Sequence, residues 1–282
     1  MEKDLESIIA KTGDLPAMPA IAVNVMGMVG DPSTSANDLQ AVIERDQALT
    51  SKVLKIANSA LFGVSRDIST LSHAIMILGF STIRSIVLAT STKSIYLSGK
   101  SSSGLSTKLL WEHSVGTSIA ARTITGEFSD VNQEESFIAG LLHDVGKTVI
   151  NLNFSDQYED VLKEVYNGSE RFIDVENRLL GFDHTQVGSL VLRKWNLSRS
   201  LEHAVLNHHS PENETDYPVL TAIISLSNDL CNKIGVGMRK DVEIDLATSK
   251  AAEILGFDEA KIQYFEEKIA EDIEQNITLF EM

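Results

Sequence analysis

The run Ala139–Leu152, AGLLHDVGKTVINL, decides how the rest of the chain is read. It sets an imidazole, a carboxylate, a glycine and a lysine within His143 to Lys147, inside an otherwise apolar segment. Burying such groups costs free energy unless they are paired, neutralised or bound to a metal. Neighbours on a helix point about 100° apart, so His143 and Asp144 approach an ion from adjacent directions. Imidazole and carboxylate suit zinc, iron, manganese and nickel, and the two oxygens of a carboxylate can bridge two ions. Lys147, one turn on, can set a positive charge against a phosphate, and Gly146 admits close backbone approach. The duller alternative is a helix that ends at this glycine.

Further ligands are needed, and the sequence offers them. His113, His184, His208, His209 and Asp229 are each the polar exception on an apolar segment. That is the pattern of several helices aiming ligands into one bundle interior. Each has an ordinary explanation when taken singly. His113 reads as a core or groove histidine, and His184, beside Asp183, as a helix cap. His208 and His209 read as a solvated helix end before Pro211, and Asp229 as a carboxylate near a helix terminus. Together they favour a metal. His73 and His203 lack partners in the pattern and read as structural, and Met18, Met26, Met28 and Met76 as core filler.

Composition narrows the partners. The 282 residues are 43% apolar and carry a formal charge of −16, enough for a sizeable core in one or two domains. The sequence has no lysine and arginine cluster of the kind a duplex-binding surface needs, and an anionic membrane is disfavoured on the same ground. MEKDLES lacks the basic-then-apolar order of a secretion signal, and the single Cys231 cannot form an internal disulfide. The expected location is the cytoplasm, with no nucleic-acid or membrane partner.

No proline falls between Pro32 and Pro211, and apolar residues recur at three- and four-residue intervals, so the body reads as helical. LPAMP opens the first helix, and Ser35 caps the next, with Asp38 in its first turn. A helix from Ser69 to about Leu78 is followed by Gly79 and a second, strongly apolar helix. SGKSSSGLS, residues 98–106, is the clearest break. It divides an amino-terminal helical unit, 1–100, from a core, 101–235, and a carboxy-terminal helical extension, 236–282. In the core, helices are expected over Leu109–Ile124, from Glu134 to about Asp144, from His184 to Trp195, and over Leu220–Cys231.

WEHS around His113, LLHDVGK, FDHTQVG around His184, NHH at 207–209 and ND at 228–229 resemble, in this order, the motifs of the HD superfamily of metal-dependent phosphohydrolases. LPAMPAIAVNVMGMV, IERDQALTSKVLKIANSALFG and ISTLSHAIMILGFSTIRSIVLA resemble the HDOD domain of bacterial signalling proteins, over about residues 12–210. One departure is Gln47, where the family usually has proline.

The resemblance implies an all-α HDOD fold, with the amino-terminal unit packed on an HD-like helical bundle. It implies that His113, His143, Asp144 and Asp229 hold one ion and that His184, His208 and His209 hold a second, with Asp144 bridging. The cofactor would be one or two divalent ions of iron, manganese, zinc or nickel. Two functions stay open. Many HDOD proteins have lost metal ligands and act as regulatory output modules through a protein partner. The retained ligands suit hydrolysis of a nucleotide, cyclic dinucleotide or other phosphoester, with Lys147 and Asp144 as catalytic residues. Lys147 matches the lysine of the HD-GYP branch, but Ser210 stands in place of that branch's glutamate and its G-Y-P loop is missing.

Overall fold

The computed structural model describes residues 15–64, 67–98, 105–168, 170–237, 241 and 244–281, and among these every regular element is helical. The serine-rich break falls mostly on 99–104, outside the described residues.

Among the described residues, the amino-terminal α-helices are α1 (Ala20–Val29), α2 (Ala36–Ile43), α3 (Gln47–Ala57) and α4 (Leu71–Tyr96). Their starts follow local chemistry. Pro19 stands before α1. Ser35 and Asp38 form a reciprocal capping box on α2, satisfying two amide donors that a helix start leaves without partners. Asp46 caps α3 by accepting from the Leu49 amide at 3.0 Å. Gln47 is therefore the first residue of α3, where proline and most other residues fit equally.

Gly79 has φ 79° and ψ 167°, and breaks α4 into two pieces. This is a conformation open to glycine and strained for other residues. Beyond the break, Ile83, Ile86, Val87, Leu88 and Ala89 are buried. Before it, Met76 is 70% exposed and Ile77 57%, so Met76 is a surface residue and not core filler. α4 is long and apolar enough to cross a bilayer, yet half of its apolar window is buried within the fold, as in the core helix of a bundle.

The bundle consists of α5 (Leu105–Thr125), α6 (Gln133–Leu142), α7 (Val145–Asn153), α8 (Ser155–Asn167), α9 (Phe172–Leu180), α10 (His184–Lys194), α11 (Arg199–Asn207) and α12 (Pro218–Ile234). After it come α13 (Lys250–Leu255) and α14 (Glu259–Glu281). α5 is the axis and packs against α6, α12 and α14. Two glycines bring backbones together around the site. A Cβ on Gly140 would lie 2.8 Å from Ser118 Cα, and one on Gly146 would lie 1.9 Å from the His184 carbonyl oxygen. No side chain fits at Gly146, so α7 and α10 meet backbone to backbone.

The amino-terminal helices are seated on this bundle by polar contacts. Thr82 Oγ1 donates to Glu134 Oε1 at 3.1 Å, and Glu134 also pairs with Arg122, whose guanidinium lies 4.7 Å from the Phe62 ring centre. The Leu61 amide donates to Asn276 Oδ1 on α14 at 3.2 Å. Trp195 Nε1 donates to the Pro16 carbonyl at 2.9 Å.

Candidate metal centre

α6 ends at Leu142 and α7 begins at Val145. The HD pair is thus the joint between two helices, with Asp144 at φ −104° and ψ 9°. The helix expected from Glu134 to about Asp144 is α6, and the duller alternative of a helix ending at Gly146 does not hold, because Gly146 lies inside α7. A joint turns both side chains inward, where a continuous helix would splay them.

The other ligand positions arrive from separate elements. His113 is on α5, His184 is the first residue of α10, and His208 follows the last residue of α11. Asp183 caps α10 through the Thr185 and Gln186 amides, which frees His184 from a capping role. Two groups of ligand atoms result, each within 4.8 Å: His113, His143 and Asp144, then His184, His208 and His209. Asp144 lies between them. Its Oδ2 is 3.4 Å from His143 Nε2 and 3.9 Å from His113 Nε2, and its Oδ1 is 3.3 Å from His184 Nε2.

The imidazoles are oriented from behind. Nδ1 of His143 lies 2.7 Å from the Gly140 carbonyl, Nδ1 of His208 2.8 Å from that of Val205, and Nδ1 of His113 2.9 Å from that of Val236. A nitrogen facing a carbonyl must carry the hydrogen, so Nε2 of His143 and of His208 keeps its lone pair and faces inward, whereas His113 Nε2 faces Asn228 Oδ1. Nδ1 of His184 faces Glu176 Oε2 at 2.5 Å. His184 Nε2 and His209 Nε2 point at one another across 3.1 Å.

Acceptors gathered in this way need a cation. His143 Nε2, His208 Nε2 and Asp144 Oδ1 are buried without a hydrogen-bond partner, each an expense of about 1–3 kcal/mol. One or two divalent ions would satisfy these atoms, so the donor set fits the metal that the sequence implied.

Charge states agree. Burial holds His143 down to about 3 and His208 to about 4, and drives His184 and His209 well below the usual imidazole range. All four are neutral near pH 7, the form that binds metal. Burial alone would raise Asp144, but the Lys147 ammonium, 2.7 Å from its Oδ2, and the surrounding imidazoles outweigh it and keep the carboxyl ionised. Lys147 Nζ also lies 4.6 Å from the centre of the Phe172 ring.

Asp229 stands apart from the two groups. It lines the adjoining cavity, and its Oδ1 accepts from Asn228 Nδ2 at 3.0 Å. Burial raises its carboxyl to about 7. Asn228, its neighbour, is the residue whose Oδ1 approaches His113 Nε2, at 2.9 Å. The cavity holds about 340 Å³ and opens onto His113, Asp144, His208 and His209, with Lys147 and Arg171 also in its wall.

Two contributions escaped the sequence reading. Glu176 is buried, accepts from the His184 amide at 2.9 Å as well as facing its ring, and is pushed up to about 8 by burial. Its signal was present: Glu176 shares the apolar face of α9 with Phe172 and Leu180, at helical spacing. The Gly235–Gly237 turn is the second. Val236 anchors the His113 ring, and a Cβ on Gly237 would lie 2.5 Å from His113 Cβ.

A third group, His203, Glu214 and Asp216, is of another kind. Glu214 accepts from Asn207 Nδ2 at 2.7 Å, the Asp216 amide at 2.8 Å and the Tyr217 amide at 3.1 Å, and faces His203 Nδ1 at 3.1 Å. Its oxygens are already satisfied. It ties the end of α11 to the start of α12, and His203 is structural, as expected.

A helical bundle that gathers histidines and one aspartate at a helix joint, with a further helical unit seated on it, defines the class. The sequence profile of the HDOD domain matches residues 15–211, and the chain belongs to the HDOD family. The fold superposes, at a TM-score of 0.85 and 25% identity, on an HDOD domain protein of unknown function from Geobacter sulfurreducens, over 99% of this chain and 97% of that one. A candidate phosphohydrolase from Shewanella amazonensis SB2B shares the fold, with a TM-score of 0.77, 19% identity and coverage of 98% and 97%. So does a candidate signal transduction protein from Marinobacter aquaeolei VT8, with a TM-score of 0.72, 18% identity and coverage of 100% and 61%. An uncharacterized Treponema pallidum (strain Nichols) protein is 24% identical over 230 residues, 79% of this chain. The chain spans 43% of that relative's length.

Proposed function

We propose that this chain is a metal-binding signal-transduction module of HDOD type whose output is contact with a protein partner. In this reading His113, His143, Asp144, His184, His208 and His209 hold one or two divalent transition-metal ions, and Asp229 is a further ligand to be tested by substitution. The observation that carries the reading is the set of inward-facing Nε2 lone pairs around an Asp144 oxygen that has no other partner. The units 1–100, 101–235 and 236–282 are proposed as contact unit, metal-holding core and extension. Exposed apolar side chains on the first unit, Val23, Met76 and Ile77, support a protein partner, and the charge of −16 favours protein over nucleic acid.

Phosphoester hydrolysis is a second reading, favoured by the cavity with Lys147 and Arg171 in its wall. A bound divalent ion would supply charge neutralisation at a phosphoryl group and a strong nucleophile at neutral pH. Asp144 would hold it in place, the neutral imidazoles would orient it, and Lys147 would keep a positive charge facing the phosphate.

A turnover panel separates the two. Metal-loaded chain is assayed against nucleotides, cyclic dinucleotides and simple phosphoesters, beside Asp144→Ala. The signalling reading expects no turnover. Turnover that Asp144→Ala abolishes would establish the hydrolase and remove the purely regulatory reading.

A further inference from the structure

Tyr96 is the last residue of α4, and so belongs to the amino-terminal unit, yet it is fully buried beside the metal centre. Its hydroxyl donates to the Leu141 carbonyl at 2.5 Å. Leu141 lies in the last turn of α6, where carbonyls have lost their helical donors and need another. His143 and Asp144 follow directly on that turn.

The ring of Tyr96 reaches a second ligand-bearing element. It packs on Trp111 of α5, centroids 5.4 Å apart, two residues before His113. Trp111 is fixed in turn, because its Nε1 donates to the Phe280 carbonyl at the end of α14, at 3.2 Å. Burial, with Asp144's charge adding to it, pushes the phenol above its usual range, so the hydroxyl remains a donor.

We propose that Tyr96 is a positioning residue for the metal centre, its hydroxyl setting the end of α6 from which His143 and Asp144 project. The proposal rests on the metal-binding reading and deepens it. The hydroxyl joins α4 to the ligand-bearing joint, so ion binding in the core and the seating of α4 form one coupled equilibrium. Coupling of this kind is reciprocal: whatever shifts α4 alters ion affinity, and ion binding steadies α4. A contact made on the first helices thereby acquires a route to the centre.

Tyr96→Phe tests this, since it removes the hydroxyl and keeps the ring. Zn²⁺ is titrated into wild type and variant in competition with a chromophoric chelator, and amide hydrogen exchange of the second half of α4 is followed with and without Zn²⁺. The expected result is binding about 10-fold weaker or more in the variant, the scale of a lost supporting contact. Zn²⁺ should slow exchange near Ile95 and Tyr96 in wild type and do so less in the variant. Equal Zn²⁺ affinity and equal protection in the two proteins overturns the inference while leaving the metal reading intact. Wild type that takes up no Zn²⁺ overturns both. Should Tyr96→Phe fail to fold, the wild-type exchange decides alone: no slowing in α4 on Zn²⁺ binding refutes the coupling.

Discussion

The Asp144 centre and the Glu214 knot are made of the same materials, a buried carboxylate beside imidazole, and α11 with its following residues feeds both. They differ in what is left over. Each Glu214 oxygen accepts from amides or side chains around it, and the group is complete. At Asp144, one oxygen and the Nε2 atoms of His143 and His208 have no partner, and every Nδ1 behind a buried histidine is occupied. Residue types and spacing therefore do not distinguish a metal centre from a structural tie. Unspent lone pairs, with the rear of each ring anchored, do.

Substitution should break the likeness most sharply at Asp144. Asp144→Ala should weaken Zn²⁺ binding at least about a thousandfold, or about 4 kcal/mol, read by competition titration, with circular dichroism unchanged. Glu214→Ala should do the reverse. It leaves buried donors unpaired and should cost about 3 kcal/mol of stability in urea unfolding, while the Zn²⁺ content stays near wild type. A smaller effect sharpens the same contrast. Burial raises the Glu214 carboxyl, but the Asp216 and Tyr217 amides, His203 and Asn207 outweigh it and hold it below its ordinary 4.5. A depressed carboxyl stabilises the fold above its unfolded value and loses that contribution as pH falls through the folded one. Wild type should thus lose stability below about pH 4.5 more steeply than Glu214→Ala, in melts followed across that range.

Much of the fold was legible because its signals are local. Ser35 and Asp38, Gly79 and the proline-free middle of the chain announce helix starts and breaks within a few residues of themselves. The centre was legible through the polar exceptions His113, His143, Asp144, His184, His208 and His209. The remaining features depend on contacts between elements distant in sequence, which periodicity does not carry. Nothing beside Tyr96 says that its hydroxyl meets α6, and nothing beside Val236 says that its carbonyl anchors His113. Met76 follows an apolar pattern yet faces outward, because it lies on the side of its helix opposite the buried Leu71, Ala74 and Ile75. Asp229 was read from its type and position, while the structure sets Asn228 against His113.

The central claim, a metal centre built from leftover lone pairs, is tested most directly by elemental analysis of the wild-type chain purified without chelator. The account predicts a stoichiometric transition metal that is absent from Asp144→Ala prepared in the same way. A folded wild-type chain with no bound metal, or a metal content that Asp144→Ala leaves unchanged, would contradict it.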